Sequence, residues 1–150
     1  MRSIRNEDDR DNLVGRINKL SGDETPLWGK MTCDQMLSHL VQASELPFVA
    51  SVPERSTFAL RTIVKPLVLY VLPMPKEVKV SAEFDQQKKG RTPQGTAADK
   101  ETLVGLLSRV GALPSDHECL NHPMFGKLTA EQWAVLMYKH TDHHLKQFGV

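Results

Sequence analysis

Apolar residues recur at helical spacing in four stretches of the chain. Leu13, Ile17 and Leu20 predict a first helix over about 8–20, with Gly22 as its stop. Thr32 and Gln35 stand in capping-box relation, and Met31 and Met36 form a hydrophobic staple around them, so a second helix opens at Thr32. It should reach about Leu46, because Pro47 cannot donate into its last turn. Leu103, Leu106, Leu107 and Val110 give the apolar face of a third helix over about 99–110, ended by Gly111 and Pro114. The fourth helix opens as the second does, Thr129 with Gln132 between Leu128 and Trp133, and runs almost to Phe148 and Gly149. The segments 29–36 and 126–133 resemble each other along their length. Shared capping chemistry supplies most of that match, and pseudo-symmetry of a bundle is the other reading.

Between the second and third helices the pattern weakens. The first half of 47–98, residues 56–72, reads as a helix bent at Pro66, although Ile63, Val64, Val68 and Val71 leave a strand open. Val78, Val80, Ala82 and Phe84 alternate with Lys79, Ser81 and Glu83, which predicts a short strand. Residues 86–98 are polar, carry Gly90, Pro93 and Gly95, and read as loop. A second loop, 115–128, holds His117, Cys119 and the run His122-Pro123-Met124-Phe125-Gly126. The expectation is an all-α fold in which 150 residues make a single domain, 1–150, around one core.

Charge and composition narrow the function by exclusion. Nineteen Lys and Arg against 18 Asp and Glu leave a net charge of +1, so no electrostatic footprint for nucleic acid is present and no nucleic-acid partner is expected. The N-terminus has no apolar core of a secretory signal. The greasiest stretch, 58–72, is broken by Arg61, Lys65 and Pro66 and is too short to span a bilayer, so no membrane partner is expected. Two cysteines, Cys33 and Cys119, make no disulfide framework and point to a reducing, cytoplasmic setting.

The candidate chemistry lies in the histidines. At 100° per residue, Trp133, Met137, His140, His144 and Phe148 fall within roughly 80° of arc on the fourth helix. His140 and His144 are therefore an i,i+4 pair on one inward stripe, with His143 on its flank and Asp142 turned toward the surface. Two imidazoles one turn apart can close on one metal ion. His39, at the edge of the second helix's apolar face, is the candidate third ligand. Depth along the axes brings the three level if the second and fourth helices run antiparallel. The plainer reading is a set of core histidines, yet burying several imidazoles without partners is costly. Three neutral ligands leave a position open, which suits a Lewis acid or an activator of water or thiolate better than a structural zinc. Cys33, beside the helix start, is a poor fourth ligand, and His117 and His122 read first as loop residues.

Several of these segments together resemble a known family. They are Trp28-Gly29-Lys30-Met31-Thr32, Met36-Leu37-Ser38-His39-Leu40, His122 through Thr129, Glu131-Gln132-Trp133, and the tail from His140 to Val150. They are similar to the DUF1569 family of the DinB/YfiT-like superfamily, most specifically in the tail, and the resemblance is poor across 47–98. It implies a four-helix bundle of up-down-down-up topology, with a long crossover between helices two and three. It also implies a metal site on His39, His140 and His144, holding Zn²⁺ or Ni²⁺. Some relatives are thiol-dependent transferases or isomerases that use low-molecular-weight thiols, and homodimers are common. The expected function is accordingly a divalent-metal-dependent enzyme acting on a small-molecule substrate, with S-transfer from a low-molecular-weight thiol as one reaction. Metal-dependent hydrolysis and a non-catalytic metal- or ligand-binding bundle are the alternatives. His143 would act as base or substrate contact, and Gln147 would hydrogen-bond a bound water.

Overall fold

A computed structural model describes residues 1–49, 55–76, 78, 80–118 and 121–150. Four α-helices carry the chain: α1 (Glu7–Lys19), α2 (Cys33–Glu45), α3 (Thr96–Gly111) and α4 (Ala130–Gln147). Among the described residues the fold is all-helical, with no strand. The helix starts follow from their caps. Asn6 accepts from the Asp9 N–H ahead of α1, and Glu7, Asp8 and Asp9 in the first turn meet the positive end of the helix dipole. Both expected capping boxes form. Thr32 Oγ1 accepts from Gln35 N at 3.2 Å and Gln35 Oε1 from Thr32 N at 3.0 Å. Thr129 and Gln132 repeat the exchange at 3.2 and 3.1 Å.

α3 begins three residues before the expected start, at Thr96 rather than Asp99. Gly95, with φ of 100°, provides the entry. Asp99 is fully buried inside the helix and reaches back to the loop, where it accepts from Gln94 N at 2.9 Å and Arg91 Nη1 at 2.7 Å. Arg91 Nη1 also reaches Ser38 Oγ at 3.0 Å, while the Ser38 hydroxyl donates to the Arg91 carbonyl at 2.8 Å. The end of the crossover is thus nailed to α2 beside His39.

The helical reading of 56–72 holds and the strand reading does not. Two π-helical turns, Leu60–Val64 and Leu67–Val71, flank Lys65 and Pro66. Pro66 has no N–H to donate to the regular helical ladder, and the widened turns accommodate it. At the far end the Lys139 ammonium donates to the carbonyls of Val68, Leu69 and Leu72, satisfying acceptors that a helix end leaves free. The segment buries Val68 and Leu69 and exposes Phe58, Ile63 and Val71.

The short strand expected over 78–84 is not there in the described part. Lys79 lies outside the described residues. Ser81 to Phe84 form a turn, with the Phe84 N–H on the Ser81 carbonyl at 3.0 Å. Alternation predicted a strand, but no strand among the described residues offers this segment a ladder, and the backbone bonds of 81–85 close locally.

One apolar cluster draws on all four helices together with Val68, Leu69, Phe125 and Leu128. The register between α2 and α4 decides where the chemistry sits. His39 meets His140 and His144, and five residues later Ser44 Oγ meets Met137 Sδ at 3.6 Å. Moving forward along α2 therefore moves backward along α4, so the two run antiparallel. No helix among the described residues is long and apolar enough to cross a membrane.

Removing either half of the Arg91–Asp99 pair should destabilise the fold, and the larger cost should come from leaving the more buried charge without its partner. Asp99 is 0% exposed while the Arg91 side chain keeps 22% of its surface. Arg91→Met leaves a dry carboxylate without its cation and is expected to cost about 3 kcal/mol; Asp99→Asn should cost about half of that. Urea unfolding with an unchanged denaturant slope measures both.

Candidate metal centre

Antiparallel α2 and α4 bring His39, His140 and His144 together. Their rings pack edge to face, with centroids 5.0, 5.0 and 4.8 Å apart. His140 Nε2 lies 3.1 Å from His39 Nε2 and 3.1 Å from His144 Nε2. The three rings are close enough to hold one metal ion. The nitrogen spacing fits that task. Two imidazoles bound at about 2.0–2.1 Å to one ion have their nitrogens about 2.9–3.4 Å apart for bond angles between 90° and tetrahedral.

The other ring nitrogens show what orients the cluster. His144 Nδ1 lies 2.8 Å from Gln147 Oε1, and Gln147 Nε2 donates to the Trp28 carbonyl at 2.6 Å. The second bond fixes the amide, so Oε1 faces His144 and its Nδ1 must carry the proton. A neutral His144 then has only a lone pair at Nε2, which is the ligand form. Gln147 is buried, and both ends of its amide are engaged within the protein. Its place is behind His144, a different role from the expected contact with water. His39 Nδ1 is buried beside the Phe84 carbonyl without reaching hydrogen-bond geometry.

Gly29 makes the Trp28 bond possible. It has φ of 78°, and a Cβ there would stand 2.8 Å from Gln147 Nε2. The residue type at 29 is therefore set by the approach of a side chain from the end of α4.

Electrostatics agree with a ligand role. Burial holds the His39 imidazole down to about 4 and that of His144 down to about 3. His140 lies well below its ordinary value, through burial first and then the neighbouring imidazoles. At neutral pH all three are uncharged and able to give a lone pair. His144, with its proton on Nδ1, turns a lone pair toward the other two rings, whose Nε2 atoms lie within hydrogen-bond or ligand distance of one another.

The remaining candidates take other places. His143 stands next to the cluster, packed edge to face with its ring centre 5.1 Å from that of His144 and 5.6 Å from that of Trp28. Asp142, expected at the surface, is only 19% exposed and is held by Arg16 and Lys146, each at 2.7 Å. Cys33 is buried, and that burial, with Glu24 beside it, pushes the thiol up to about 12. His117 is exposed. His122 closes a tight loop: its Nδ1 accepts from the Met124 and Phe125 N–H groups at 3.2 and 3.3 Å, and its ring stacks on Phe125 at 4.8 Å. Sequence reasoning read Phe84 as part of a strand, Arg91 as loop and Asp99 as the start of a helix, and linked none of them to the histidine cluster.

A partly buried three-histidine cluster among helices defines a candidate metalloprotein. The family model of DUF1569, a protein of unknown function, matches residues 2–149, and the chain belongs to that family. No curated protein and no solved structure matches it.

Acid should unfold the metal-free protein early. The buried imidazoles take up protons only near 3–4 when folded and near 6.5 when unfolded. As pH falls below 6.5 the unfolded chain therefore binds protons first, and stability present above 6.5 is lost down to about 4. Each of His39 and His122 should cost about 2 kcal/mol between pH 7.5 and 5. Urea midpoints at the two pH values give the test; an unchanged midpoint contradicts the burial of these rings.

Proposed function

We propose that the chain is a divalent-metal-dependent enzyme whose His39, His140 and His144 hold one Zn²⁺ or Ni²⁺ through Nε2. The observation that carries this reading is the convergence of three neutral Nε2 atoms, two pairs of them 3.1 Å apart, with one tautomer fixed from behind by Gln147. When bound, such an ion supplies Lewis acidity at a position the three ligands leave open. The chain's own residues do the rest. Gln147 and the Trp28 carbonyl hold His144 to its ligand form. Phe84 lies behind His39. His143, half-buried at the flank, is placed to take or give a proton to a bound small molecule.

The same proposal places the chain in the DinB-like superfamily, as a single-domain four-helix bundle running up-down-down-up. Pairings along the helices support it. Ile4 meets Ala134 and Arg16 meets Asp142, so α1 and α4 run in the same direction. Arg5 meets Leu113 and Lys100 meets Leu20, so α3 opposes α1. Asp34 meets Thr96 and Arg109 lies over Phe48, so α3 follows α2. The reaction proposed is S-transfer from a low-molecular-weight thiol to a small substrate in a reducing, cytoplasmic setting. A net charge of +1 and two cysteines that form no framework support a small-molecule partner over a nucleic acid.

Metal analysis of protein purified without a tag tests the site. Wild type should carry about one ion per chain and His144→Ala close to none, since two ligands hold a divalent ion poorly. Gln147→Ala should keep the site but weaken metal affinity about 10–100-fold. Equal metal content in wild type and His144→Ala ends the proposal. With the site established, thiol-conjugation assays read the reaction, and inactivity with every thiol favours a binding module.

A further inference from the structure

One cation beside the three-histidine cluster has no carboxylate partner among the described residues. The Lys76 ammonium sits 4.1 Å from the centre of the Trp28 ring. Ion pairs among the described residues account for Arg2, Arg5, Arg16, Arg55, Lys88, Arg91 and Lys146, and do not include Lys76. The Trp28 and His143 rings in turn pack edge to face with centres 5.6 Å apart, and those of His143 and His144 with centres 5.1 Å apart. These contacts make a continuous path from an exposed ammonium to a cluster ring.

The charge along this path is positive. The acid nearest His143 is Asp142, already held by Arg16 and Lys146 at 2.7 Å each. A free ammonium over an indole face, next to a half-buried imidazole, offers one charge and an apolar shelf. That combination suits a monoanion on an organic arm. A phosphate dianion is ordinarily met by a fork of guanidinium donors or a helix N-terminus.

We propose that Lys76 and the Trp28 ring form a recognition lip for a carboxylate, carried at the far end of a ligand whose near end reaches the three-histidine cluster. The inference rests on the metal-centre reading for the near end and on Lys76 and Trp28 for the far end. Steps of 4.1, 5.6 and 5.1 Å lead from the ammonium to His144, so several bonds must separate the carboxylate from the reacting group. Trp28 has two tasks here. Its carbonyl fixes Gln147 behind His144 and its ring carries the lip, so ligand recognition and ligand-ring orientation share one residue.

The test uses cobalt(II)-loaded full-length protein and two probes of equal length, 6-mercaptohexanoate and 6-mercaptohexanol. Thiolate-to-cobalt absorption reads the near end. The Trp28 indole N–H resonance, assigned with Trp28→Phe, reads the far end. The acid should bind about fivefold more tightly than the alcohol, the size of effect a partly exposed charge pair gives, and the preference should shrink with added salt. Lys76→Gln should abolish the preference while leaving the affinity for the alcohol unchanged. Equal binding of acid and alcohol to wild type, or a preference that survives in Lys76→Gln, overturns the lip and leaves the metal reading standing. If cobalt or the thiols do not bind, the metal or thiol reading fails. Hexanoate and hexanol then decide the lip on the unloaded chain: a Trp28 shift with hexanoate alone, lost in Lys76→Gln, supports it, and no such shift ends it.

Discussion

Three uncharged imidazoles brought together at a partly buried seam between α2 and α4 are the constraint around which the rest of this molecule is arranged. Two come from a single turn of α4 and one from α2, so the geometry exists only while those helices keep their antiparallel register. A slip of one residue along either helix turns a ring by 100° and dissolves the cluster. The caps, the anchoring loop and the close approach at Gly29 all act against such a slip.

The two helices are secured by different means. α4 is held from its end: Gln147 grips His144, the Trp28 carbonyl grips Gln147, and the Leu27 N–H reaches the Gln147 carbonyl at 2.7 Å. α2 is held from its side. The crossover lays Arg91 against Ser38 and Asp99, and Gln42 donates to the Glu83 carbonyl at 2.8 Å, bracketing His39. A long irregular connection is therefore a structural member of the centre. Its polar character is explained by the buried Asp99 and by the backbone groups it satisfies.

Much of the helical frame was legible in the sequence because local chemistry decides it. Thr32 with Gln35 and Thr129 with Gln132 state where helices begin whatever surrounds them. The i,i+4 spacing of His140 and His144 likewise needs only helical geometry. His39 was legible one step less directly, through depth along an axis. What could not be read depended on partners distant in sequence. Asp99 looked like the start of a helix, yet a loop arginine draws it into the interior. Val78 to Phe84 alternated like a strand, but a strand needs a neighbour and none is present among the described residues. Gln147 shared a face with His144, and its face alone could not tell whether it served water or the ring.

Positions 29 and 147 sit far apart in sequence and behave as one mutational unit. The left-handed backbone at Gly29 and its lack of a side chain make room for the amide that orients a ring of the histidine cluster. A library that diversifies the loop before α2 would loosen the cluster through a residue that touches none of the three imidazoles. Any larger residue at 29 would strain a left-handed backbone and push the Gln147 amide away from the Trp28 carbonyl, so its effect would reach His144 through position 147.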